Sequence, residues 1–336
     1  MRAITCTKPG AMNEIKIEIP NDIGSSDVLV EIKRIGICGT DIHAFGGNQP
    51  FFTYPRILGH ELSGIVKAIG SGVENIQVED CVAIIPYMHC GECLACKSGK
   101  TNCCTQMQVL GVHIDGGMAE YLKVPASHVL VVNDLTLDDA AIVEPLSIGA
   151  HAIRRAAIES GETVLIIGAG PIGLGVARFA KLQGAKTIIM DISEERLRFC
   201  QEWADCDVAI QATEDAMQQL LEANEGVLPS VVLDATGNKH SMMKAFDYVG
   251  HGGKLIFVGL VKDTISFFNP DFHSKEMTLF GSRNATKEDF DYVIRCLSKG
   301  LVKPSYVTNK IEFKDVISYF EKGNFQTNKT MITLHS

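Results

Sequence analysis

Hydrophobic and polar positions follow different patterns in the two halves of the chain. Up to about Pro145, short alternating runs rich in β-branched residues, such as 28–37 and 62–69, are separated by glycine-containing turns. Such alternation is typical of half-buried strands. No helical periodicity is sustained in this half before Leu137. The pattern therefore predicts a mostly β region.

After Pro145, strand-like apolar runs alternate with longer helical ones. A helix is predicted over 148–158, and the alternating series that follows is 164–167, 173–182, 187–190, 194–203, 207–210, 231–235, 254–258 and 278–281. Strands that alternate with helices indicate βαβ units and a parallel sheet. The tail adds helices over 288–299 and 313–322 and a strand near 331–334.

These patterns divide the chain into two parts, one mostly β and one α/β. We place the domain boundaries so that 1–148 and 286–336 form one domain and 149–285 form the other. The first is predicted to be mostly β, and the second to be built around a doubly wound parallel sheet.

Composition excludes several functional classes. Of the 336 residues, 46% are hydrophobic and 21% are charged, and the formal net charge is −9. An acidic chain without a Lys/Arg-dense run is a poor binder of nucleic acids or anionic membranes. No stretch has the length and apolarity of a signal peptide or a membrane span. We therefore expect a soluble, cytoplasmic protein.

The eleven cysteines are unevenly distributed. Five of them lie within one short segment: Cys90, Cys93, Cys96, Cys103 and Cys104. This clustering favours thiolate–metal chemistry over a disulfide framework. Cys90, Cys93, Cys96 and Cys104 satisfy a tetrahedral zinc ion without an open position, which predicts a structural site in a lobe of about 88–106. An iron–sulfur cluster and the use of Cys103 in place of Cys104 are the alternatives.

A glycine-rich turn follows the first strand of the second domain. Gly168 allows a sharp turn, Gly170 lacks the Cβ that would block a pyrophosphate, and Gly173 lets the next helix pack closely. Asp191, at the end of the next strand, is placed to accept hydrogen bonds from ribose hydroxyls. The predicted cofactor-binding residues are Gly168, Gly170, Pro171, Ile172, Gly173, Asp191 and Arg196. The sequence thus predicts a Rossmann-type dinucleotide-binding domain.

The same acidic residue indicates which dinucleotide is bound. The carboxylate of Asp191 would repel a 2′-phosphate, so NAD is favoured over NADP. Arg196 and Arg198 follow shortly afterwards and are the feature that would soften this repulsion.

Two further polar segments, Cys38-Gly-Thr-Asp-Ile-His43 and Gly59-His60-Glu61, lie in the β half. Together with the four-cysteine segment and the glycine-rich turn, they resemble the zinc-dependent medium-chain dehydrogenases over essentially the full length. The resemblance implies a GroES-like, mostly β catalytic domain beside the Rossmann domain. It also implies an oxidoreductase that carries a catalytic and a structural zinc ion, uses NAD, and transfers hydride from an alcohol.

The resemblance implies a role for each of these polar residues. Cys38 and His60 ligate the catalytic zinc, and Asp41 orients His60 from behind. Glu61 and Glu144 compete for the remaining carboxylate position. Because neighbouring residues of an extended strand face opposite sides, ligation by both His60 and Glu61 requires a bend, which the preceding glycine allows.

A route for the substrate proton is implied as well. Thr40 accepts the proton and relays it through the nicotinamide ribose to His43, which titrates near neutral pH. The alternative is that His43 is a structural residue of its loop.

The carboxylate ligand and the tail of the chain resemble the polyol and sugar-acid branch, which includes L-galactonate/L-idonate 5-dehydrogenases, galactitol-phosphate dehydrogenases and sorbitol dehydrogenases. Arg283 is expected on a strand, in contact with substrate hydroxyls or a carboxylate. His113, with Asp115, is expected to line the same pocket. Arg283 in a domain-interface ion pair and His113 as a turn residue are the alternatives.

Other functions and the assembly state stay open at this stage. An L-threonine 3-dehydrogenase, a general alcohol dehydrogenase, and an inactive nucleotide-binding or structural member are the competing functions. A homodimer or homotetramer is implied by the resemblance, and 254–259 with 261–268 are the segments expected to extend a sheet across a two-fold axis.

Overall fold

The computed structural model describes residues 1–325 and 328–335, and the chain divides into two compact units. The first comprises Met1–Glu144 and Thr286–Ser336, and the second comprises Pro145–Ala285. This division falls between Glu144 and Pro145, and the sequence analysis placed it after 148. A helix begins at Val143, before the predicted helix start at 148. Pro145 is compatible with this start because it lies in the first turn, where the missing N–H of proline is not needed.

The strands, in chain order, are β1 (Arg2–Lys8), β2 (Ala11–Lys16), β3 (Asp27–Gly36), β4 (Arg56–Ile57), β5 (Glu61–Ile69), β6 (Cys81–Ile84), β7 (Tyr87–Met88), β8 (Gln108–Val109), β9 (Tyr121–Pro125), β10 (Val129–Val131), β11 (Thr163–Ile167), β12 (Lys186–Asp191), β13 (Val208–Gln211), β14 (Val231–Asp234), β15 (Lys254–Phe257), β16 (Thr278–Gly281), β17 (Asn309–Glu312) and β18 (Thr330–Thr333). The helices are α1 (Gly39–Phe45), α2 (Leu94–Lys97), α3 (Leu137–Ala141), α4 (Val143–Ala156), α5 (Pro171–Leu182), α6 (Glu194–Ala204), α7 (Ala216–Ala223), α8 (Lys239–Lys244), α9 (Asn269–Ser274), α10 (Lys287–Ser298) and α11 (Val316–Lys322). Short 3₁₀ turns cover Thr101–Cys103, Ala126–His128, Ala245–Tyr248, Pro304–Tyr306 and Phe313–Asp315.

The first unit is mostly β, as the alternating pattern predicts, and its strands pair antiparallel except for β17 and β18, which are parallel. Its main sheet has the order β10-β6-β5-β3-β18-β17, with β9 also paired to β3. A smaller sheet has the order β2-β1-β4. β18 comes from the far end of the chain and pairs antiparallel with β3, so the C-terminal segment is an integral part of this unit. Alternate side chains of these strands form its hydrophobic core, including Val30, Ile32, Leu62 and Ile332.

The lack of a sustained helical periodicity before Leu137 does not mean that this part of the chain lacks helix. α1 and α2 both lie in this part of the chain. Each is too short, at seven and four residues, to produce a sustained period of apolar positions. α1 is stabilised locally instead, because Cys38 and Asp41 form a capping box at its N-terminus.

The second unit confirms the predicted parallel sheet. Six parallel strands have the order β13-β12-β11-β14-β15-β16, which is the doubly wound order 3-2-1-4-5-6 of dinucleotide-binding domains. The β-branched and aliphatic residues of β11, β12 and β14 are almost completely buried. Near-continuous apolar runs are expected in a parallel sheet that is covered on both faces.

The expected edge of this sheet needs a correction. β15 was expected to extend the sheet, but it lies between β14 and β16 and has both neighbours already. The segment 261–268 contains no strand. The edge strands are β13 and β16, and β16 is largely exposed. In the part of the chain that the structure describes, no helix combines the length and apolarity that crossing a membrane requires.

Candidate metal and dinucleotide sites

Four cysteines converge in the segment between β7 and β8. The sulfur atoms of Cys90, Cys93, Cys96 and Cys104 all lie within 4.8 Å of one another, whereas Cys103 is exposed and is not part of the group. A tetrahedral zinc ion with Zn–S bonds of about 2.3 Å holds its sulfur atoms roughly 3.8 Å apart. The spacing therefore fits one ion bound by these four thiolates.

Backbone amides lower the pKa of Cys90 and Cys93 in this lobe, whereas burial raises the pKa of Cys96 to about 12. The amides of Cys96 and Thr105 donate hydrogen bonds that lower the pKa of Cys93 to about 5. Cys104 Sγ accepts from the backbone amides of Cys90 and Gln106, each at 3.3 Å. Because the thiolate is the form that binds metal, this arrangement suits a permanently bound cation.

The glycine-rich turn has the geometry of a phosphate cradle. Gly168 has a φ of +101°, which disfavours any other residue. A Cβ on Gly173 would overlap the carbonyl oxygen of Gly168, whereas a Cβ on Gly170 would meet nothing within 4 Å. Gly170 is the N-cap of α5 and Pro171 follows it, so open space lies in front of a helix N-terminus. Such a position suits a pyrophosphate.

Asp191 is the last residue of β12 and holds this turn in place. Its Oδ2 accepts from the amide of Ala169 at 2.6 Å, and its Oδ1 accepts from the amide of Ser193 at 2.9 Å. Each oxygen retains a second lone pair, which is the acceptor that a ribose hydroxyl requires. Arg196 lies in the first turn of α6, where its amide donates to Ser193 Oγ.

A second group of candidate metal ligands lies in the first unit. The ligand atoms of Cys38, His60 and Glu61 all lie within 4.8 Å of one another. Cys38 is the N-cap of α1, and Glu61 opens β5. Gly59 has a φ of +90°, so the chain bends immediately before His60, as the sequence analysis requires. His60 and Glu61 are buried.

Glu61 reaches this position because the opposite strand provides space. Gly36 on β3 pairs in register with Glu61. A Cβ at Gly36 would overlap the Glu61 carboxylate. The glycine therefore allows the carboxylate to lie across the neighbouring strand.

Asp41 joins the two segments that carry these ligands. It is completely buried, and its Oδ2 accepts from the amide of Cys38 at 2.9 Å while its Oδ1 accepts from the amide of Gly59 at 3.2 Å. Its Oδ1 is 3.8 Å from His60 Nδ1, beyond hydrogen-bonding distance. Asp41 thus fixes the backbone on both sides of the cluster, rather than only the imidazole as the sequence analysis expects.

Buried polar atoms in this cluster lack a hydrogen-bond partner. His60 Nδ1 and both carboxylate oxygens of Glu61 are in this condition. Burial opposes protonation of His60, yet the charges of Asp41 and Cys38 raise its pKa well above the usual value. The pocket is buried and anionic, and its nitrogen and oxygen atoms without hydrogen-bond partners are able to ligate a cation. It therefore fits a divalent metal ion bound by Cys38, His60 and Glu61.

Glu144 lies near this cluster but outside the set of three. It is the second residue of α4, it is buried, and it accepts a hydrogen bond from the hydroxyl of Tyr87. Burial raises the pKa of Glu144 to about 7, with the neighbouring charge of Glu61 acting in the same direction. Of the two competing carboxylates, Glu61 is the one grouped with Cys38 and His60.

Three residues of this site were missed by sequence reasoning. Lys329 forms an ion pair with Glu61, and the Tyr87 hydroxyl donates a hydrogen bond to Glu144. Burial raises the pKa of Tyr306, and the charges of Glu61, Cys38 and Glu144 act in the same direction. Burial tends to lower the pKa of Lys329, but the charges of Glu61 and Cys38 outweigh it and raise the pKa. All three side chains are buried. Their burial as polar groups is the feature that identifies them as part of the site, and it is visible only in the structure.

Thr40 and His43 both lie on α1. They are three residues apart and therefore share one side of the helix. Thr40 is half-buried and His43 is exposed. This order is consistent with a path from the buried cluster to solvent.

The two predicted substrate residues lie in different surroundings. His113 Nδ1 accepts from the amide of Val109 at 3.0 Å, which matches the alternative that it is a turn residue, and its ring stacks on Phe51 with centroids 6.3 Å apart. Arg283 was expected on a strand, but β16 ends two residues earlier and Arg283 is exposed in the second unit. Asp115 accepts from the amide of Ile57 and from Arg56.

Comparisons with known proteins add independent information. The family model "Alcohol dehydrogenase GroES-like domain" matches residues 24–134, and the model "Zinc-binding dehydrogenase" matches residues 171–299. L-galactonate-5-dehydrogenase of Escherichia coli (strain K12) is 44% identical over 99% of both chains.

Solved structures agree with these matches. The alcohol dehydrogenase rspB from E. coli CFT073, complexed with the cofactor NADH, has a TM-score of 0.92 and 32% identity and covers 99% of each chain. L-idonate 5-dehydrogenase from E. coli K-12 has a TM-score of 0.88 and 26% identity, covering 99% of this chain and 98% of its own.

Proposed function

This chain belongs to the zinc-binding alcohol dehydrogenase family with a GroES-like domain, and from that membership we propose that it oxidises a secondary alcohol of a sugar acid or polyol with NAD. It is an oxidoreductase. The observation that carries the proposal is the buried group of Cys38, His60 and Glu61, whose ligand atoms lie within 4.8 Å of one another.

We assign the catalytic zinc to Cys38, His60 and Glu61, with Glu144 as the neighbouring carboxylate. Three protein ligands leave a position for substrate, which distinguishes this group from the closed four-cysteine lobe. When bound, zinc supplies a Lewis acid that polarises the alcohol oxygen, and the nicotinamide supplies the hydride acceptor.

The residues of the chain prepare the site for this chemistry. Asp41 holds the two ligand-bearing segments together through the amides of Cys38 and Gly59. We propose that Thr40 takes the proton of the substrate hydroxyl and that His43, on the same side of α1, releases it to solvent.

The second zinc is assigned to Cys90, Cys93, Cys96 and Cys104. A single ion is preferred to an iron–sulfur cluster because all four sulfur atoms lie within 4.8 Å of one another, a separation that suits ligands of one metal atom. With all four positions taken by thiolates, this ion has a structural role.

NAD is proposed in preference to NADP. The Asp191 carboxylate lies at the end of β12 with one amide on each oxygen, so it accepts ribose hydroxyls and repels a 2′-phosphate. The rspB structure is complexed with NADH.

The substrate proposal is an L-galactonate- or L-idonate-like sugar acid. It is supported by the 44% identity to L-galactonate-5-dehydrogenase over 99% of this chain and by the similarity to the L-idonate 5-dehydrogenase structure. Both names describe oxidation at a secondary carbon of a six-carbon acid.

A homo-oligomer is also proposed. The edge strand β16 leaves one row of backbone groups unpaired, and Leu279 on it is 40% exposed. Phe268 and Leu260, elsewhere in the second unit, are 68% and 64% exposed. Light scattering should give the mass of a dimer or tetramer for the wild type, and Leu279→Lys should shift it toward the monomer; a monomeric wild type contradicts this part.

An activity panel tests the proposed reaction. Aldonates, polyols and L-threonine are assayed with NAD and with NADP, before and after removal of metal by a chelator and addition of zinc. We expect NAD-dependent oxidation of sugar acids, its loss on chelation, and its return with zinc. Activity that ignores chelation contradicts the zinc assignment, and faster oxidation of L-threonine than of any sugar acid or polyol contradicts the substrate assignment.

A further inference from the structure

Lys329 and Glu61 form an ion pair in the interior of the first unit. Each side chain is only 1% exposed. Lys329 Nζ also donates a hydrogen bond to the carbonyl oxygen of Ile37 at 3.0 Å. Lys329 thus contacts the residue before Cys38 as well as Glu61, although it lies 292 positions after Ile37.

The strand pairing explains how this lysine reaches the site. Lys329 immediately precedes β18, which pairs with β3, and the amide of Ile37 donates to the carbonyl oxygen of Thr330 at 3.0 Å. The backbone on both sides of the ion pair is therefore fixed by the sheet. A buried ammonium group is costly to desolvate, so it needs a specific partner at this position.

The ion pair makes the two oxygens of Glu61 unequal. Oε2 is the oxygen that contacts the Lys329 ammonium, whereas Oε1 has no such ion-pair contact among the described residues. Both oxygens are buried, and neither has a partner with regular hydrogen-bond geometry. Gly36 leaves space for the carboxylate on the opposite strand. Lys329 therefore orients the carboxylate so that one oxygen is free to bind a cation.

Charge balance gives the lysine a second effect. The Cys38 thiolate and the Glu61 carboxylate would bring two negative charges to a divalent ion, and Lys329 offsets one of them. A nearby positive charge weakens metal binding, and it also leaves the bound metal more electron-poor.

We propose that Lys329 is a positioning residue that acts on the catalytic metal through Glu61, orienting its carboxylate and keeping the metal electrophilic at the expense of metal affinity. The inference rests on the proposed function, because it takes Cys38, His60 and Glu61 as the zinc ligands. If the charge of Lys329 acts on the metal, removing it should tighten zinc binding and lower kcat. Loss of an ordinary structural ion pair should instead weaken zinc binding and lower kcat together.

The test uses Lys329→Met, which removes the charge, and Lys329→Arg, which keeps it. Zinc affinity of the full chain is measured by competition with a chromophoric chelator, and Cys38→Ser supplies the baseline for zinc held by the four-cysteine lobe. We expect Lys329→Met to bind the catalytic zinc at least tenfold more tightly and to lose at least tenfold in kcat, with an unchanged KM for NAD. Lys329→Arg should restore both quantities to within about threefold of the wild type.

A matched control separates the loss of any buried lysine from the loss of this one. Lys33 forms an ion pair with Glu31 in the same unit, with both side chains 15% exposed. Lys33→Met should change neither zinc affinity nor kcat. If Lys329→Met lowers zinc affinity and kcat together, the lysine is only a structural partner and the proposal is wrong.

A second pair of variants keeps the proposal testable if Lys329→Met fails to fold. Glu61→Gln leaves the ammonium without its carboxylate and should weaken zinc binding at least tenfold. The double variant Glu61→Gln/Lys329→Met contains neither charge and should bind zinc more tightly than Glu61→Gln alone. Equal affinities for these two variants overturn the proposal. A wild type with no more zinc than Cys38→Ser overturns the proposed function instead.

Discussion

Replacing Asp41 with alanine should loosen the metal cluster more than it unfolds the protein. The Asp41 carboxylate accepts the amides of Cys38 and Gly59 at 2.9 and 3.2 Å and is completely buried. Asp41→Ala leaves two buried N–H groups without an acceptor, at about 1–3 kcal/mol each. Removal of a desolvated charge offsets part of this, so we expect a net loss of about 2–4 kcal/mol in the free energy of unfolding.

The effect on the metal should be larger than the effect on stability implies. With the amides of Cys38 and Gly59 released, the cysteine and His60 are no longer held at one distance, and zinc affinity should fall by about 10–100-fold. Asp41→Asn should lie between, since its amide offers one acceptor oxygen for two N–H groups.

Asp289 provides a matched control. It forms the same kind of capping box, at the start of α10 in the same unit, where it is buried and accepts from the amide of Thr286 at 2.8 Å. Asp289→Ala should lower the melting temperature by an amount similar to Asp41→Ala and leave zinc affinity unchanged. Thermal unfolding and chelator competition measure the two quantities. Equal zinc affinity in the two variants would refute the role assigned to Asp41.

Three further substitutions test neighbouring parts of the account. Tyr87→Phe removes the hydrogen-bond donor to the buried carboxylate of Glu144. Steady-state kinetics should show kcat lowered at least tenfold and KM for NAD unchanged; an unchanged kcat would show that the reaction does not need this hydrogen bond to Glu144. Gly36→Ala should displace the Glu61 carboxylate by direct overlap, so the catalytic zinc should be lost on dialysis, and retention of that zinc would contradict the packing argument. Asp191→Ala should raise KM for NAD at least tenfold and reduce the ratio of kcat/KM with NAD to kcat/KM with NADP. An unchanged KM for NAD would show that Asp191 does not bind the ribose.

The parts of this protein that were predictable from sequence are those whose determinants are local. The glycine-rich turn lies within six residues, where Gly168 has a positive φ and a Cβ on Gly173 would overlap the carbonyl oxygen of Gly168. The parallel sheet follows from apolar runs that are buried on both faces. Cys90, Cys93 and Cys96 carry a ligand spacing that is independent of tertiary structure.

Features that depend on distant pairing were not predictable in this way. Lys329 reaches Glu61 only because β18 pairs with β3, and Tyr87 meets Glu144 from 57 positions away. Nothing in a single sequence separates these residues from other lysines and tyrosines. The short helix α1 was missed because its stability comes from a cap formed by Cys38 and Asp41, rather than from periodic apolar positions.

Errors at Arg283 have a similar physical origin. The strand β16 is four residues long and ends at Gly281, so a shift of two residues decides whether the arginine is on the strand. The apolar pattern determines the ends of strands poorly, because the boundary between a strand and the following loop is uncertain by about two to four residues.

The central claim is that Cys38, His60 and Glu61 hold a zinc ion, and a crystal of the protein measured at the zinc absorption edge tests it most directly. The account predicts two anomalous peaks per chain, one among the four cysteines and one within about 2.3 Å of Cys38 Sγ and about 2.0–2.1 Å of a His60 ring nitrogen. An active, zinc-loaded enzyme whose only peak lies in the four-cysteine lobe would contradict it.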